Sequence, residues 1–208
     1  MAEEYIEQYK ILHEKDADFG TSSPSLYKEV RKIIKKVKPH TILDYGCGKG
    51  LLSDKIEKEL KIKCYKYDIA IPEYSKLPED KIDMIICTDV LEHIPLEYLP
   101  EVLEKISSIS QNAFFNISCR KAGQILPNGE NAHCTIYPPR WWQHTLSQYF
   151  GKVDELLCKD LTAASFFTHP SNVFTRCRSL FKKVKTHDGR RNIYIFGIKV
   201  FSYKKPVG

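Results

Sequence analysis

The sequence predicts an α/β fold built on a parallel, doubly wound sheet. Predicted helices and apolar strands alternate along its 208 residues, which is the order typical of such a sheet. The strand Thr41–Tyr45 contains an acid and runs into a turn with glycines at positions 46, 48 and 50. Glycine tolerates positive φ and has no Cβ, so a ligand can approach this backbone closely. We therefore expect a ligand at the carboxyl ends of the strands.

Two helices precede this strand. Residues 3–15 and Leu26–Lys38 carry apolar residues at helical spacing, and Pro39 ends the second helix. A third helix, Leu51–Glu59, follows the glycine turn, so the turn also aims a helix N-terminus at the ligand. No strand is obvious within 70–80. The same patterns predict later strands at 63–67, 84–87, 113–117, 153–157 and 192–203 and later helices at 90–94, 97–108 and 140–150.

Composition narrows the class of protein. No run of about 18 apolar residues occurs, which predicts no membrane-spanning helix, and the acidic N-terminus does not resemble a signal peptide. The seven cysteines form no C-x-x-C pair, which predicts a reducing, cytoplasmic location and no zinc site. The net charge is +6, with basic residues concentrated in Arg31–Lys38 and Arg176–Lys205. Such charge permits nucleotide-linked sugars, nucleic acid or membrane headgroups as partners.

Three separated motifs indicate the ligand. The first is Asp44 with the glycine turn, whose spacing D-x-G-x-G-x-G differs from the dinucleotide fingerprint G-x-G-x-x-G. The second is Asp68, at the end of the next strand, where a carboxylate can accept two ribose hydroxyls. The third is Asp83–Pro95, which ends in Thr-Asp-Val-Leu-Glu-His-Ile-Pro. Each motif alone is common in α/β proteins, and their order and spacing together favour one cofactor site.

In this order the motifs resemble those of class I S-adenosylmethionine-dependent methyltransferases over roughly residues 25–158. The resemblance implies a Rossmann-like, doubly wound, mostly parallel seven-stranded sheet with an antiparallel last strand and helices on both faces. It implies S-adenosyl-L-methionine as cofactor, with Asp44 serving the amino group and Asp68 the ribose. The implied single domain, 1–208, comprises N-terminal helices 1–38, a cofactor-binding core 40–158, an insertion 159–191 and a last strand with tail 192–208. The implied cofactor-binding residues are Asp44, Tyr45, Gly46, Cys47, Gly48, Asp68, Thr88 and Asp89.

The acceptor is expected at the loop 119–139, because it leaves the carboxyl edge of the sheet and long loops in compact domains are usually functional. Methyl transfer to a hydroxyl needs a base, and histidine titrates near neutral pH. His133 is the first candidate, followed by His93 and Asp89; alternatively, His133 only holds the loop by hydrogen bonds. No metal is assigned. The predicted substrate-binding residues are Arg120, Glu130, Asn131 and Trp141.

The C-terminal residues 174–205 give indications of the binding partners of the protein. Phe174–Lys185 is basic with interleaved apolar residues, which predicts a solvated helix or, alternatively, an interfacial helix that lies weakly on anionic lipid of the inner membrane. Asn192–Lys205 alternates like a strand and resembles a short segment found in bacterial enzymes that build surface polysaccharide. This resemblance favours a glycan as the expected methyl acceptor.

These observations predict a small bacterial O-methyltransferase that acts on a sugar, a nucleotide-linked sugar or a glycan end in surface-polysaccharide synthesis. The alternatives are a nucleic-acid methyltransferase or another small-molecule N- or O-methyltransferase. The positive charge favours nucleic acid, but Asp89-Val-Leu-Glu stands where an Asn/Asp-Pro-Pro-Tyr/Phe motif would be. A non-catalytic cofactor-binding subunit is a third hypothesis, against which the intact Asp44, Gly46, Gly48 and Asp68 argue. The oligomeric state stays open.

Overall fold

The computed structural model describes residues 3–21, 23–157 and 162–170, together with the backbone of 181–185, 190–195 and 198–204. The chain forms two compact units, Met1–Ser171 and Asn172–Gly208. Within the described ranges, none of the helices combines the length and apolar character that a membrane crossing needs. The prediction of one domain over 1–208 stays a prediction.

The first unit alternates helices and strands as expected. Its α-helices are α1 Glu3–Lys15, α2 Tyr27–Val37, α3 Leu51–Leu60, α4 Leu99–Ile109 and α5 Pro139–Leu146. Its strands are β1 Thr41–Tyr45, β2 Lys63–Tyr67, β3 Met84–Thr88, β4 Ala113–Ser118, β5 Lys152–Leu156 and β6 Ala163–His169. Short 3-10 turns are formed by Ser23–Leu26, Pro72–Tyr74 and Leu91–His93. The helix predicted at 90–94 is only the last of these turns, because Pro95 disfavours helical backbone at the residue before it.

The strands of the first unit form one sheet in the order β2-β1-β3-β4-β6-β5. The first four strands pair in parallel, whereas β6 runs antiparallel to both β4 and β5. Tyr45, at the end of β1, pairs with Tyr67, at the end of β2. The glycine turn and Asp68 therefore leave the sheet side by side. The strand order reverses between β1 and β3, which is the switch point at which such sheets bind ligands.

Helices cover both faces of this sheet, because its central strands are apolar at successive positions. Leu43 of β1 belongs to one core layer with Leu103 of α4 and Trp142 of α5. Its neighbour Ile42 belongs to the opposite layer with Val30 of α2. All five side chains are fully buried, and burial of each contributes on the order of 1.5–3 kcal/mol. The two layers give the carboxyl edge of the sheet a rigid support.

Among the described residues this sheet has six strands, whereas the resemblance implies seven. In the described stretch 70–80 the chain forms the turn Pro72–Tyr74 and no strand, since proline lacks the N–H that a central ladder needs. The antiparallel neighbour of β4 is β6, within the predicted insertion, whereas the sequence predicts that strand over 192–208. Phe166 and Phe167 pack into opposite core layers, so β6 lacks the alternation by which a half-exposed strand is recognised.

The second unit contains an antiparallel sheet in the order β7-β8-β9, formed by β7 Phe181–Lys185, β8 Arg190–Ile195 and β9 Ile198–Lys204. The helix predicted over Phe174–Lys185 is wrong for its last five residues, because β7 satisfies its backbone groups by pairing with β8. Residues 174–180 of that prediction lie outside the described residues. The strand predicted at 192–203 is divided between β8 and β9. Association with a membrane surface stays a prediction.

Candidate functional site

The glycine turn after β1 is held against the end of β2. The Gly46 and Cys47 N–H groups both donate to the Tyr67 carbonyl, at 2.7 and 3.0 Å. Gly48 has a φ of 52°, and a Cβ there would lie 2.5 Å from the Gly20 carbonyl oxygen. No other residue fits this conformation and this contact without strain. The turn therefore presents bare backbone at the carboxyl edge of the sheet.

Asp44 lies behind the turn as a buried carboxyl group, 1% exposed. Its Oδ2 accepts a hydrogen bond of 2.6 Å from Ser53 Oγ, while its Oδ1 has no partner among the residues that the structure describes. Burial raises the pKa of this carboxyl to about 6. A buried acid with one unsatisfied oxygen fits the ammonium end of S-adenosylmethionine, whose charge would stabilise the carboxylate.

Asp68 follows β2 and faces the same space. Its Oδ2 accepts the Gly48 N–H at 2.9 Å, and its Oδ1 accepts the Ala70 N–H at 2.9 Å. These bonds fix the plane of the carboxylate. An ionised carboxylate offers about four acceptor sites, so two remain for the hydroxyls of a ribose. The residues present therefore fit the cofactor that the motifs imply.

The turn and Asp68 open onto a cavity of about 1410 Å³. One small-molecule site typically occupies about 300–1,000 Å³, so this cavity has room for a cofactor and an acceptor together. Asp44 is not part of the lining. The predicted site residues that do line the cavity are Tyr45, Gly46, Cys47, Gly48, Asp68, Thr88, Asp89, His93, Arg120 and His133.

The two histidines lie against each other, with ring centroids 4.7 Å apart and planes at 83°. Nδ1 of His93 lies 2.8 Å from the Ala132 carbonyl, and Nδ1 of His133 lies 2.6 Å from the Arg120 carbonyl. A carbonyl can only accept, so each Nδ1 donates and each neutral ring keeps its lone pair on Nε2. Burial, assisted by the neighbouring His133, lowers the pKa of His93 to about 3. His93 therefore stays neutral near neutral pH.

Glu92 joins the three segments around these histidines. It is fully buried, its Oε1 accepts the Ser118 N–H at 2.6 Å, and its backbone carbonyl accepts the N–H groups of Cys134 and Thr135. Burial, and then the charge of Asp89, raise the pKa of the Glu92 carboxyl to about 8. Glu92 thus fixes the loop next to His133 without lining the cavity.

The N-terminal segment closes the other side of the cavity, which the sequence did not predict. Tyr9 Oη donates to the Ala132 carbonyl at 2.7 Å, the same carbonyl that accepts from His93. Tyr9, His13 and Phe19 all line the cavity. The loop after α1 meets the glycine turn, where the Lys49 N–H donates to the Gly20 carbonyl at 3.2 Å. The aromatic face of residues 3–15 was the available signal, but it predicts only a packed helix.

Three predicted substrate-binding residues do not line the cavity. Trp141 stacks on Tyr137 with ring centroids 4.0 Å apart. The Asn131 side chain accepts from the Ala122 N–H and donates to its carbonyl, both at 2.9 Å, and Glu130 is exposed. A role for these three residues in acceptor binding stays a prediction. Across the described part of the chain, no group of three or more His, Cys, Asp or Glu side chains is placed to hold a metal ion.

Comparison with known proteins identifies the family and the fold of this chain. Residues 23–149 match the model of a family described as a methyltransferase domain, and a search of curated proteins found no match. The methyltransferase domain of bacterial CtHen1-C has 16% identity and a TM-score of 0.54, with 69% of this chain and 96% of that domain covered. DhpI bound to S-adenosylhomocysteine has 10% identity and a TM-score of 0.54, with coverages of 82% and 98%. The mitomycin 7-O-methyltransferase MmcR has 12% identity and a TM-score of 0.56, with coverages of 77% and 60%.

At these identities the solved structures establish the fold, and the family match establishes the chemistry. The mostly parallel sheet with an antiparallel end agrees with the Rossmann-like fold of methyltransferases. The cofactor predicted from Asp44, the glycine turn and Asp68 is confirmed, since the family uses S-adenosylmethionine. Because the match spans well over half of its length, this chain belongs to the methyltransferase-domain family and is an S-adenosylmethionine-dependent methyltransferase.

Proposed function

We propose that this enzyme methylates an oxygen of a small acceptor and that His133 is the base. One observation carries the proposal. His133 lines the cavity, and its Nδ1 lies 2.6 Å from the Arg120 carbonyl. The neutral ring therefore has its lone pair on Nε2, which can accept a proton from an acceptor hydroxyl.

The surrounding residues favour this proton transfer. When bound, S-adenosylmethionine supplies an electrophilic methyl group on a sulfonium sulfur. Asp44 would hold the ammonium group of that molecule and Asp68 its ribose hydroxyls, so the protein contributes mainly position and exclusion of water. His93 stays neutral because burial lowers its pKa to about 3. A protonated His133 therefore meets no like charge from the ring 4.7 Å away.

The acceptor class we propose is a sugar, a nucleotide-linked sugar or a glycan end of bacterial surface polysaccharide. Hydrogen-bonding side chains beside aromatic faces suit a polyhydroxylated ring with apolar faces. The cavity lining includes the polar residues Asn116, Ser118, Arg120 and Gln124 and the aromatic residues Tyr9 and Phe19. An oxygen acceptor also agrees with the name of the structural neighbour MmcR, a 7-O-methyltransferase.

A nucleic-acid acceptor is the second candidate, favoured by one observation. Helix α2 and its C-terminal cap expose six basic residues to solvent, which are Lys28, Arg31, Lys32, Lys35, Lys36 and Lys38. Binding to RNA or DNA through this face would weaken steeply as salt is added, because counterions are released from the phosphates. Binding that hardly responds to salt would exclude it.

The base is tested by His133→Ala, with His144→Ala on the exposed side of α5 as the matched control. A screen of nucleotide sugars for release of S-adenosylhomocysteine first identifies an acceptor. With that acceptor, we expect kcat of His133→Ala to fall by about 10²- to 10⁴-fold, while S-adenosylhomocysteine binding and the control variant stay normal. Normal turnover of His133→Ala would remove His133 from the mechanism.

A further inference from the structure

His13 of α1 lies at the boundary between the cavity and a smaller cleft of about 370 Å³, and it lines both. Its ring packs edge-on against Phe19, with centroids 4.7 Å apart. A Cβ on Gly20 would lie only 2.8 Å from its Cε1. The ring is therefore held in place by close packing against Phe19 and Gly20, which themselves line the cavity.

The Nδ1 atom of this ring is buried and has no hydrogen-bond partner within the described residues. A buried polar atom without a partner costs about 1–3 kcal/mol, and such atoms in native proteins call for an explanation. Burial also lowers the pKa of His13, against an opposing effect of the Asp68 carboxylate and with a further decrease from Lys49. The ring is therefore neutral near neutral pH, with one N–H group and one lone pair.

The surroundings of His13 indicate the class of partner. Its charged neighbours, Asp68 and Lys49, flank the glycine turn, and Asp68 is the acid assigned to the ribose. Ala70, whose N–H holds the Asp68 carboxylate, lines the same two spaces as His13. A ribose hydroxyl can both donate and accept, so it can satisfy Nδ1 in either tautomer of the ring.

We propose that His13 is a further cofactor-binding residue, whose Nδ1 forms a hydrogen bond with a ribose hydroxyl of S-adenosylmethionine. The family match begins at residue 23, so this contact comes from a part of the chain outside the matched domain. The inference rests on the cofactor of the proposed function and is independent of its acceptor and its base. Its failure leaves methyl transfer through His133 intact.

Two variants of His13 test the contact. His13→Leu keeps an apolar side chain of useful size but removes both nitrogens, whereas His13→Asn can place a polar atom near the position of Nδ1. Glu4→Gln, exposed on the same helix and outside the lining of both spaces, is the matched control. Calorimetry compares S-adenosylhomocysteine with methylthioadenosine, which keeps the ribose but lacks the amino acid end. No acceptor is present, so the result does not depend on His133.

We expect His13→Leu to weaken the binding of both ligands by the same factor, about 2- to 12-fold, and His13→Asn and Glu4→Gln to bind them nearly as the wild type does. A loss confined to S-adenosylhomocysteine would overturn the ribose assignment, and unchanged binding of both ligands would overturn the contact itself. If His13→Leu does not fold, the wild-type protein still tests the proposal by nuclear magnetic resonance. The imidazole nitrogen-15 resonances of His13 must then shift when methylthioadenosine is added, and unshifted resonances would reject the proposal.

Discussion

The cofactor side and the acceptor side of the cavity are built in different ways. On the cofactor side, Asp44, the glycine turn and Asp68 belong to one β-turn-α-β unit, and backbone hydrogen bonds hold them together. On the acceptor side, Tyr9, His93 and the loop at Ala132 come from three distant segments that meet at one carbonyl. The first side follows from local spacing in the sequence, whereas the second exists only through tertiary contacts. Substitutions on the two sides should therefore affect different measured quantities.

The largest effect on the cofactor side is expected from Asp44→Asn. An ammonium group bound to this carboxylate contributes about 1.5–3 kcal/mol, so affinity for S-adenosylmethionine should fall roughly 10- to 150-fold in calorimetry. The free energy of unfolding without ligand should not fall, because the variant no longer buries an acid with an unsatisfied oxygen. Glu79→Gln, an exposed change, serves as control. Unchanged cofactor affinity in Asp44→Asn would show that Asp44 does not bind the ammonium group, and it would contradict the assignment of this side of the cavity to the cofactor.

A pair of glycine substitutions compares the two sides directly. Gly48→Ala adds a Cβ 2.5 Å from a backbone oxygen at a φ of 52°, whereas a Cβ at Gly123, in the acceptor loop, meets no atom within 4 Å. The left-handed backbone alone costs about 1–2 kcal/mol, so denaturant unfolding should show at least that loss for Gly48→Ala. Gly123→Ala should stay within about 0.5 kcal/mol of the wild type. Equal losses would contradict the close approach at Gly48.

Affinity for the cofactor should depend on pH through Asp44. Burial raises the pKa of its carboxyl from 3.8 to about 6, so the unliganded protein carries the acid mostly protonated at about pH 5 and ionised at about pH 7. The ammonium group binds the ionised form, so affinity for S-adenosylhomocysteine should rise roughly tenfold over this window and then level off. Calorimetry across the window should give a flat profile for Asp44→Asn. A slope that persists in the variant would assign the dependence to another group.

The same carboxyl affects folding with the opposite sign. Its pKa is higher in the folded chain than in the unfolded one, so the folded state binds more protons between about pH 4 and pH 6. Stability contributed by the protonated acid is therefore lost as pH rises through this window. Cofactor binding and folding thus make opposite demands on Asp44, as is common for a group placed for function.

The smallest effect is expected on the acceptor side, from Tyr9→Phe. The variant loses the 2.7 Å hydrogen bond to the Ala132 carbonyl, which is worth about 0.5–1.5 kcal/mol. We expect kcat/KM for the acceptor to fall about 2- to 10-fold while S-adenosylhomocysteine binding stays unchanged. Tyr149→Phe, in the segment before β5, is the control. If Tyr9→Phe weakened cofactor binding instead, Tyr9 would belong to the cofactor side.

The same contrast explains which parts could be predicted from the sequence. The first four parallel strands and the cofactor motif follow from apolar runs, strand-end acids and glycine spacing within short stretches. Strand β6 was not predicted because both of its faces are buried. Phe166 and Phe167 are therefore both apolar, and the sequence lacks the alternation of apolar and polar residues that marks a half-exposed strand. The sequence did not indicate a role for His13, because a single histidine on a helix becomes informative only when the structure shows that its buried nitrogen has no partner among the described residues. The pairing of His93 with His133 depends on the path of a loop, which no local pattern fixes.

Within the residues that the structure describes, no strand pairs with the outer edge of β2, and this has a consequence for self-association. β2 is an edge of the six-stranded sheet, and an edge strand can pair with another chain through its unpaired backbone groups. Lys63 on this strand is exposed, lies over the Tyr65 ring at 4.3 Å and pairs with Asp80 at 3.7 Å. Charged side chains and a nearby proline such as Pro72 oppose the addition of a further strand. The edge of the sheet is thus protected against intermolecular β-pairing by Lys63 of β2 and by residues of the segment 70–80 that follows it.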